Sequence, residues 1–120
     1  MSSIEICLTH EQLENYQHKD KNVVVIDVLR ATSTINTILF SGAKSVMPVE
    51  TLDECMKLRD QGYIIMAERM GKKVEGFDFG NSPTKIEKSE FEGKEIGIAT
   101  SNGTKAIVKT KGSHITLIGS

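Results

Sequence analysis

Residues 23–42 read VVVIDVLRATSTINTILFSG, and the order of residue types in that stretch decides the fold. Val23 to Ile26 are β-branched throughout, the composition of a strand covered on both faces. Asp27 ends the run abruptly. A helix is predicted to start near Thr32 or Ser33, to bury Ile35, Ile38 and Leu39, and to stop at Gly42, a favoured residue just past a helix end. A covered strand passing through a polar turn into an amphipathic helix is one βα unit.

The same pattern recurs in both directions from this unit. Upstream, Ile4-Glu5-Ile6-Cys7-Leu8 alternates like a half-buried strand, and Thr9 with Gln12 predicts a capping box opening a short helix toward Tyr16. Downstream, residues 44–47 predict a strand, and Thr51 with Glu54 a capping box for a helix running to Gly62 with Leu52, Cys55, Met56 and Leu58 inward. Residues 63–67 form the next apolar run, closed by Glu68 and Arg69. From Gly71 to Pro83 three glycines and little periodicity predict a functional loop, after which Ser82-Pro83 reads as N-cap and N1 of a short helix. Residues 96–99 are a central strand, a helix is expected over about 104–111, and residues 115–118 begin one more strand. The expectation is therefore a single α/β domain over residues 1–120, with a mostly parallel sheet and flanking helices in a doubly wound, Rossmann-like arrangement.

Composition narrows the function classes. The 120 residues are 38% hydrophobic and 26% charged, ordinary for a globular domain. Fifteen basic against sixteen acidic residues, with no basic run interleaved with aromatics, argue against a nucleic-acid partner. No apolar run approaches the roughly 18 residues of a membrane span, and no leader pattern precedes the first strand, so a cytoplasmic protein without a membrane partner is expected. Cys7 and Cys55 stand apart from each other and from any Cys/His cluster, which argues against a disulfide framework or a structural zinc site.

Three of the apolar runs end in polar clusters: residues 27–34, Glu68-Arg69, and residues 100–104. In an open α/β sheet ligands bind beyond the carboxyl ends of the strands, so these clusters share one crevice if their strands are neighbours. Asp27 and Glu68 are hard oxygen donors of the kind Mg²⁺ accepts, with Asp78 as a third candidate. The plainer alternative is that each acid caps a helix or pairs with a nearby arginine. Arg30 and Arg69 carry planar guanidinium groups able to grip a phosphate or sulfonate through two parallel hydrogen bonds. Thr32-Ser33-Thr34 and Thr100-Ser101-Asn102-Gly103-Thr104 lie where a strand turns into a helix, a place that presents backbone N–H groups to an anion, although such turns are commonly only helix caps. In residues 76–83, Phe77 and Phe79 anchor one face while Asp78 points the other way. His10, His18 and His114 fall outside these clusters, and neither cysteine has a base nearby in sequence, so metal-assisted attack by water, or by a carboxylate such as Asp27, fits better than a serine or cysteine nucleophile.

Four ordered motifs carry a family resemblance: Asp27-Val28-Leu29-Arg30-Ala31-Thr32-Ser33-Thr34-Ile35, Glu68-Arg69-Met70-Gly71, Gly76-Phe77-Asp78-Phe79-Gly80-Asn81-Ser82-Pro83, and Ser101-Asn102-Gly103-Thr104-Lys105-Ala106. In order and approximate spacing they resemble the 2-phosphosulfolactate phosphatases. The resemblance implies hydrolysis of a small anionic phosphate ester, 2-phospho-3-sulfolactate, to sulfolactate and phosphate with Mg²⁺, a step in making coenzyme M or sulfolactate. Asp27, Glu68 and Asp78 would hold the metal, with Asp27 and Asp78 as the catalytic acids. Arg30, Thr32, Ser33, Arg69, Asn81, Ser82 and residues 100–104 would bind the substrate. The resemblance further implies a chain of about twice this length, which makes residues 1–120 the amino-terminal half. Ser101 stands where Thr is common in the family. Two rivals stand against this reading. A haloacid-dehalogenase-like phosphatase would need an acid two residues after Asp27, where Leu29 stands. A non-catalytic anion-binding or subunit-interaction module stays open, as does a homo-oligomer.

Overall fold

The computed structural model describes residues 2–120. Its regular elements, in chain order, are strand β1 (Asn22–Ile26), helix α1 (Ala31–Phe40), β2 (Ser45–Val49), α2 (Leu52–Arg59), β3 (Ile64–Arg69), the two-residue β4 (Lys72–Lys73), the single-turn α3 (Lys88–Phe91), β5 (Glu95–Ala99), α4 (Gly103–Lys109) and β6 (Ile115–Gly119). Short 3₁₀ turns occupy His10–Asn15 and Pro83–Lys85. The α/β class and the parallel pairing agree with the sequence reading.

The strands form two sheets instead of one doubly wound sheet: β1 pairs with β6, and the other four run in the order β2-β5-β3-β4. All pairings are parallel except the β3–β4 hairpin. Pro48 lies inside β2, and β2 is accordingly an edge strand, because proline has no N–H to give a second neighbour. Among the described residues, no helix is long and apolar enough to cross a membrane.

Strand alternation sorts the four-stranded sheet into two cores. Met66, Ile96 and Ile98 face α1, packing with Ile35, Ile38 and Phe91; Ile65, Ala67 and Ala99 face α2, packing with Cys55 and Phe77. Close approach on the α2 side is fixed at Gly97, where an added Cβ would lie 2.7 Å from a Leu58 methyl group. The Phe79 ring tilts against Phe91 at 4.9 Å and ties the 78–86 segment to the α1-side core.

Several expectations need correction. Residues 4–8 form no strand, and Ile4, Ile6 and Leu8 are exposed. An alternating segment becomes a strand only beside a free edge, and here the segment is held by isolated contacts such as the Tyr16 hydroxyl donating to the Ile6 carbonyl at 2.8 Å. Thr9 precedes the first 3₁₀ turn without a side-chain cap. Leu39 and Met56 point outward, each lying next to, instead of on, the buried stripe of its helix. Most consequentially, β1 is covered on one face only: Val25 is buried while Val24 and Ile26 are exposed.

Candidate active site

The turn from β1 into α1 is closed by one threonine. The Asp27 N–H donates to Thr32 Oγ1 at 2.8 Å, and the Thr32 N–H returns a bond to the Asp27 carbonyl at 3.1 Å. Ser33 Oγ donates to the Val28 carbonyl at 2.8 Å. The turn from β5 into α4 repeats the device: the Thr100 N–H donates to Thr104 Oγ1 at 2.9 Å, and the Thr104 N–H to Thr100 Oγ1 at 3.1 Å. Thr32, Thr100 and Thr104 are buried and their hydroxyls are engaged inside these turns. Their side chains hold the backbone in place, and any contact to an anion from the second turn falls to Ser101, Asn102 and the backbone at Gly103.

The two turns touch. A Cβ built on Gly103 would lie 2.3 Å from the Ala31 Cβ and 2.6 Å from Asp27 Oδ2, so only glycine lets the first residue of α4 seat against that carboxylate. Asp27 follows Val25 on the covered face of β1, which directs its side chain to this contact. Two of the three predicted clusters therefore meet, even though β1 and β5 belong to different sheets.

Glu68 closes the third cluster. Along β3 it falls on the α1 side with Met66, and Ala67 is in register with Ala99, which places the end of β3 beside Thr100. One oxygen of its carboxylate accepts the Gly71 N–H across the hairpin turn. Arg69 falls on the opposite face. It lines a separate open groove with Glu50, Asp53 and Lys105, so it does not join Arg30. No ion pair among the described residues involves Asp27, Glu68, Arg30 or Arg69, which removes the simple acid–arginine pairing as an account of these groups.

Asp78 is placed differently from expectation. Its Oδ2 accepts the Ile65 N–H at 2.8 Å and its Oδ1 lies 3.7 Å from Arg59. Ile65 sits three residues before Glu68, roughly 10 Å along a strand rising about 3.3 Å per residue, so the two acids anchor different ends of β3. Among the described residues, no group of three Asp, Glu, His or Cys side chains is arranged to hold a metal ion. Mg²⁺ takes one or two carboxylates and completes its shell with water, so a third acid is not required for such an ion.

Arg30 opens into a cavity of about 320 Å³ bounded by the β3–β4 turn and the 78–86 segment, with Lys73, Asn81, Ser82 and Lys85 on its walls. Thr34 Oγ1 donates to the Asn81 carbonyl at 3.3 Å, joining that segment to α1. Asn81 and Ser82 thus reach the cavity as expected. The sequence reading missed Lys73 and Lys85. The signal available for Lys73 was the Met70-Gly71 pair, a two-residue turn with φ of 53° and 77° that puts Lys73 opposite Glu68. Cys55 is no hidden nucleophile, since burial pushes its thiol up to about 11.

These features define an α/β protein whose strand-end crevice sets a carboxylate against a glycine-bearing helix start, next to a cation-lined cavity. The sequence matches the family described as 2-phosphosulpholactate phosphatase over residues 7–120, and the chain belongs to that family. Curated relatives named probable 2-phosphosulfolactate phosphatase include those of Thermotoga petrophila, 47% identical over 79% of this chain and 42% of its own length, and Caldanaerobacter subterraneus, 41% identical over 92% and 48%. The relative from Clostridium acetobutylicum is 41% identical over 98% of this chain and 51% of its own. The chain spans about half the length of the curated relatives it matches.

Proposed function

We propose that this chain is the amino-terminal, acid-bearing half of a cytoplasmic, Mg²⁺-dependent phosphatase that hydrolyses 2-phosphosulfolactate to sulfolactate and phosphate, on a route to sulfolactate or coenzyme M. The observation that carries the reading is the Asp27–Gly103 contact, which brings an acid with no ion-pair partner among the described residues to a helix start inside a family whose relatives are named for this hydrolysis. Two free cysteines, one of them buried, suit a reducing compartment.

Asp27 and the free oxygen of Glu68 would hold the metal, which when bound would offset charge on the phosphoryl oxygens and orient the attacking water. Arg30 grips the substrate with its guanidinium fork. Thr32 and Thr104 act through the backbone: each fixes its turn so that Asp27 and the Gly103 N–H keep their relative position. In the reaction a water oxygen bonds to phosphorus as the ester P–O bond breaks; one proton of that water ends on the departing alkoxide and the other stays with the released phosphate. Asp78 is reassigned from metal ligand to an anchor of the cavity wall.

The test joins this chain to the remaining length of the Clostridium acetobutylicum relative and measures phosphate release from 2-phosphosulfolactate with and without Mg²⁺. Asp27→Asn changes charge with almost no change of shape, and its turnover should fall by on the order of 10²-fold or more with unaltered folding. Full activity in that variant would overturn the assignment. A second reading, an anion-binding or subunit-interaction half without turnover of its own, is favoured by the bare face of β1 and β6. Phosphate release by the 120-residue chain alone would exclude it.

A further inference from the structure

We propose that the cavity beside Arg30 receives the non-reacting acidic end of a substrate carrying at least two anionic groups, and that Lys73 and Lys85 select for it. The inference deepens the phosphatase reading and rests on it, and it adds Lys73, Lys85 and the Asn81 amide to the residues which that reading uses.

Three cations and one carboxylate line this cavity of about 320 Å³. The carboxylate, Asp78, is already held by the Ile65 N–H at 2.8 Å and by Arg59 at 3.7 Å on its other oxygen. Among the described residues, Arg30, Lys73 and Lys85 take part in no ion pair; the Lys73 ammonium has only the Asp78 carbonyl at 3.4 Å. Like charges gathered around one concavity repel each other, and an anion of more than one charge relieves that repulsion. A cavity of this size admits a small molecule and not a nucleic acid or a protein segment.

Asn81 supplies an independent sign of a ligand. It is 3% exposed, lines the cavity, and its Oδ1 has no hydrogen-bond partner among the described residues. A buried amide oxygen without a donor destabilises the fold unless something comes to satisfy it. The oxygen is closed to solvent as it stands, and rotation of the side-chain amide would bring it to a ligand hydroxyl or its NH₂ to an acid group. A hydroxyl beside acid groups is the chemistry of a sulfonated or carboxylated hydroxy acid. Arg30 lines this cavity and follows Asp27 by three residues, and the proposal sets the phosphate of one molecule at the crevice and its other acid groups between the lysines.

The experiment is isothermal titration of the 120-residue chain at low ionic strength with 3-sulfolactate, with lactate and with inorganic phosphate. Sulfolactate should bind more tightly than lactate. Lys73→Gln with Lys85→Gln, both exposed and outside the core, should weaken sulfolactate binding by about tenfold while leaving phosphate binding unchanged. Asp27→Asn should leave sulfolactate binding intact, which separates this proposal from the catalytic one. Absence of sulfolactate binding by the unsubstituted chain, equal binding by the double-lysine variant, or parallel loss of sulfolactate and phosphate would each overturn the proposal. The phosphatase reading would survive all three if the longer fusion still released phosphate.

Discussion

At the scale of single residues, Gly103 is the tightest constraint in the site. Replacing it by Ala inserts a methyl group 2.3 Å from the Ala31 Cβ and 2.6 Å from Asp27 Oδ2, contacts that must be relieved by moving backbone or the carboxylate. Gly103→Ala should lower stability by about 1–3 kcal/mol, as overpacking does, and should cut activity of the fused enzyme further than that loss explains. Adding Ala31→Gly removes the closer clash and leaves the one with Asp27. Urea unfolding should therefore recover in the double variant while phosphate release stays low; joint recovery would mean that Asp27 placement does not matter. The glycine was visible in the sequence only as part of the residue 100–104 turn, and its contact with Asp27 was not, because that contact crosses between two sheets. The lysines were missed for a related reason: nothing in their composition marks them until the hairpin turn places Lys73 opposite Glu68.

At the scale of elements, two capping boxes with similar sequence signals came out differently, and the difference is instructive. At α2 the Glu54 N–H donates to Thr51 Oγ1 at 3.1 Å while the Thr51 N–H donates to Glu54 Oε2 at 3.0 Å. At Thr9 the segment winds as a 3₁₀ turn in which the Gln12 N–H donates to the Thr9 carbonyl at 3.1 Å, and no box forms. A cap signal reports a helix only where an apolar stripe follows for packing, as Cys55 and Leu58 do in α2. Thr51→Ala should cost about 1 kcal/mol in urea unfolding at pH 7. The Thr51 N–H and then its hydroxyl hold the Glu54 carboxyl below its ordinary value of 4.5. A depressed carboxyl stabilises the fold above 4.5 and loses that contribution as pH falls through its lower folded value. The difference between Thr51→Ala and the parent chain should therefore shrink on going from pH 7 to below 4.5, and a difference that grows on acidification would contradict the box. Alternation along β3 sets Glu68 and Arg69 on opposite faces, which their grouping as one strand-end cluster overlooked, whereas pairing order, which decides that β1 joins β6, depends on contacts distant in sequence.

At the scale of the whole molecule, the β1–β6 sheet is the feature that composition could not reveal. Val24 is in register with Leu117 and Asn22 with Ile115, so Val24, Ile26, Ile115 and Leu117 share one face, and all four are about half exposed. Parallel strands are ordinarily covered on both sides, and α1 and α4 cover only the other face of this sheet. Each half-covered aliphatic chain leaves burial on the order of 1 kcal/mol unrealised. The relatives carry about as much chain again, which is enough for a second layer over this face. The 120-residue chain should accordingly self-associate in a concentration-dependent way in sedimentation velocity, and Ile26→Lys with Leu117→Lys should return it to a monomer without disturbing the Asp27–Gly103 contact, since both side chains point away from it. In the fusion with the remaining length of the Clostridium acetobutylicum relative, the parent sequence should run as a well-defined species, and the two lysine substitutions should now destabilise the protein because they would lie beneath the added layer. Neutral substitutions in the fusion would mean that this face is covered by something other than the missing length of chain.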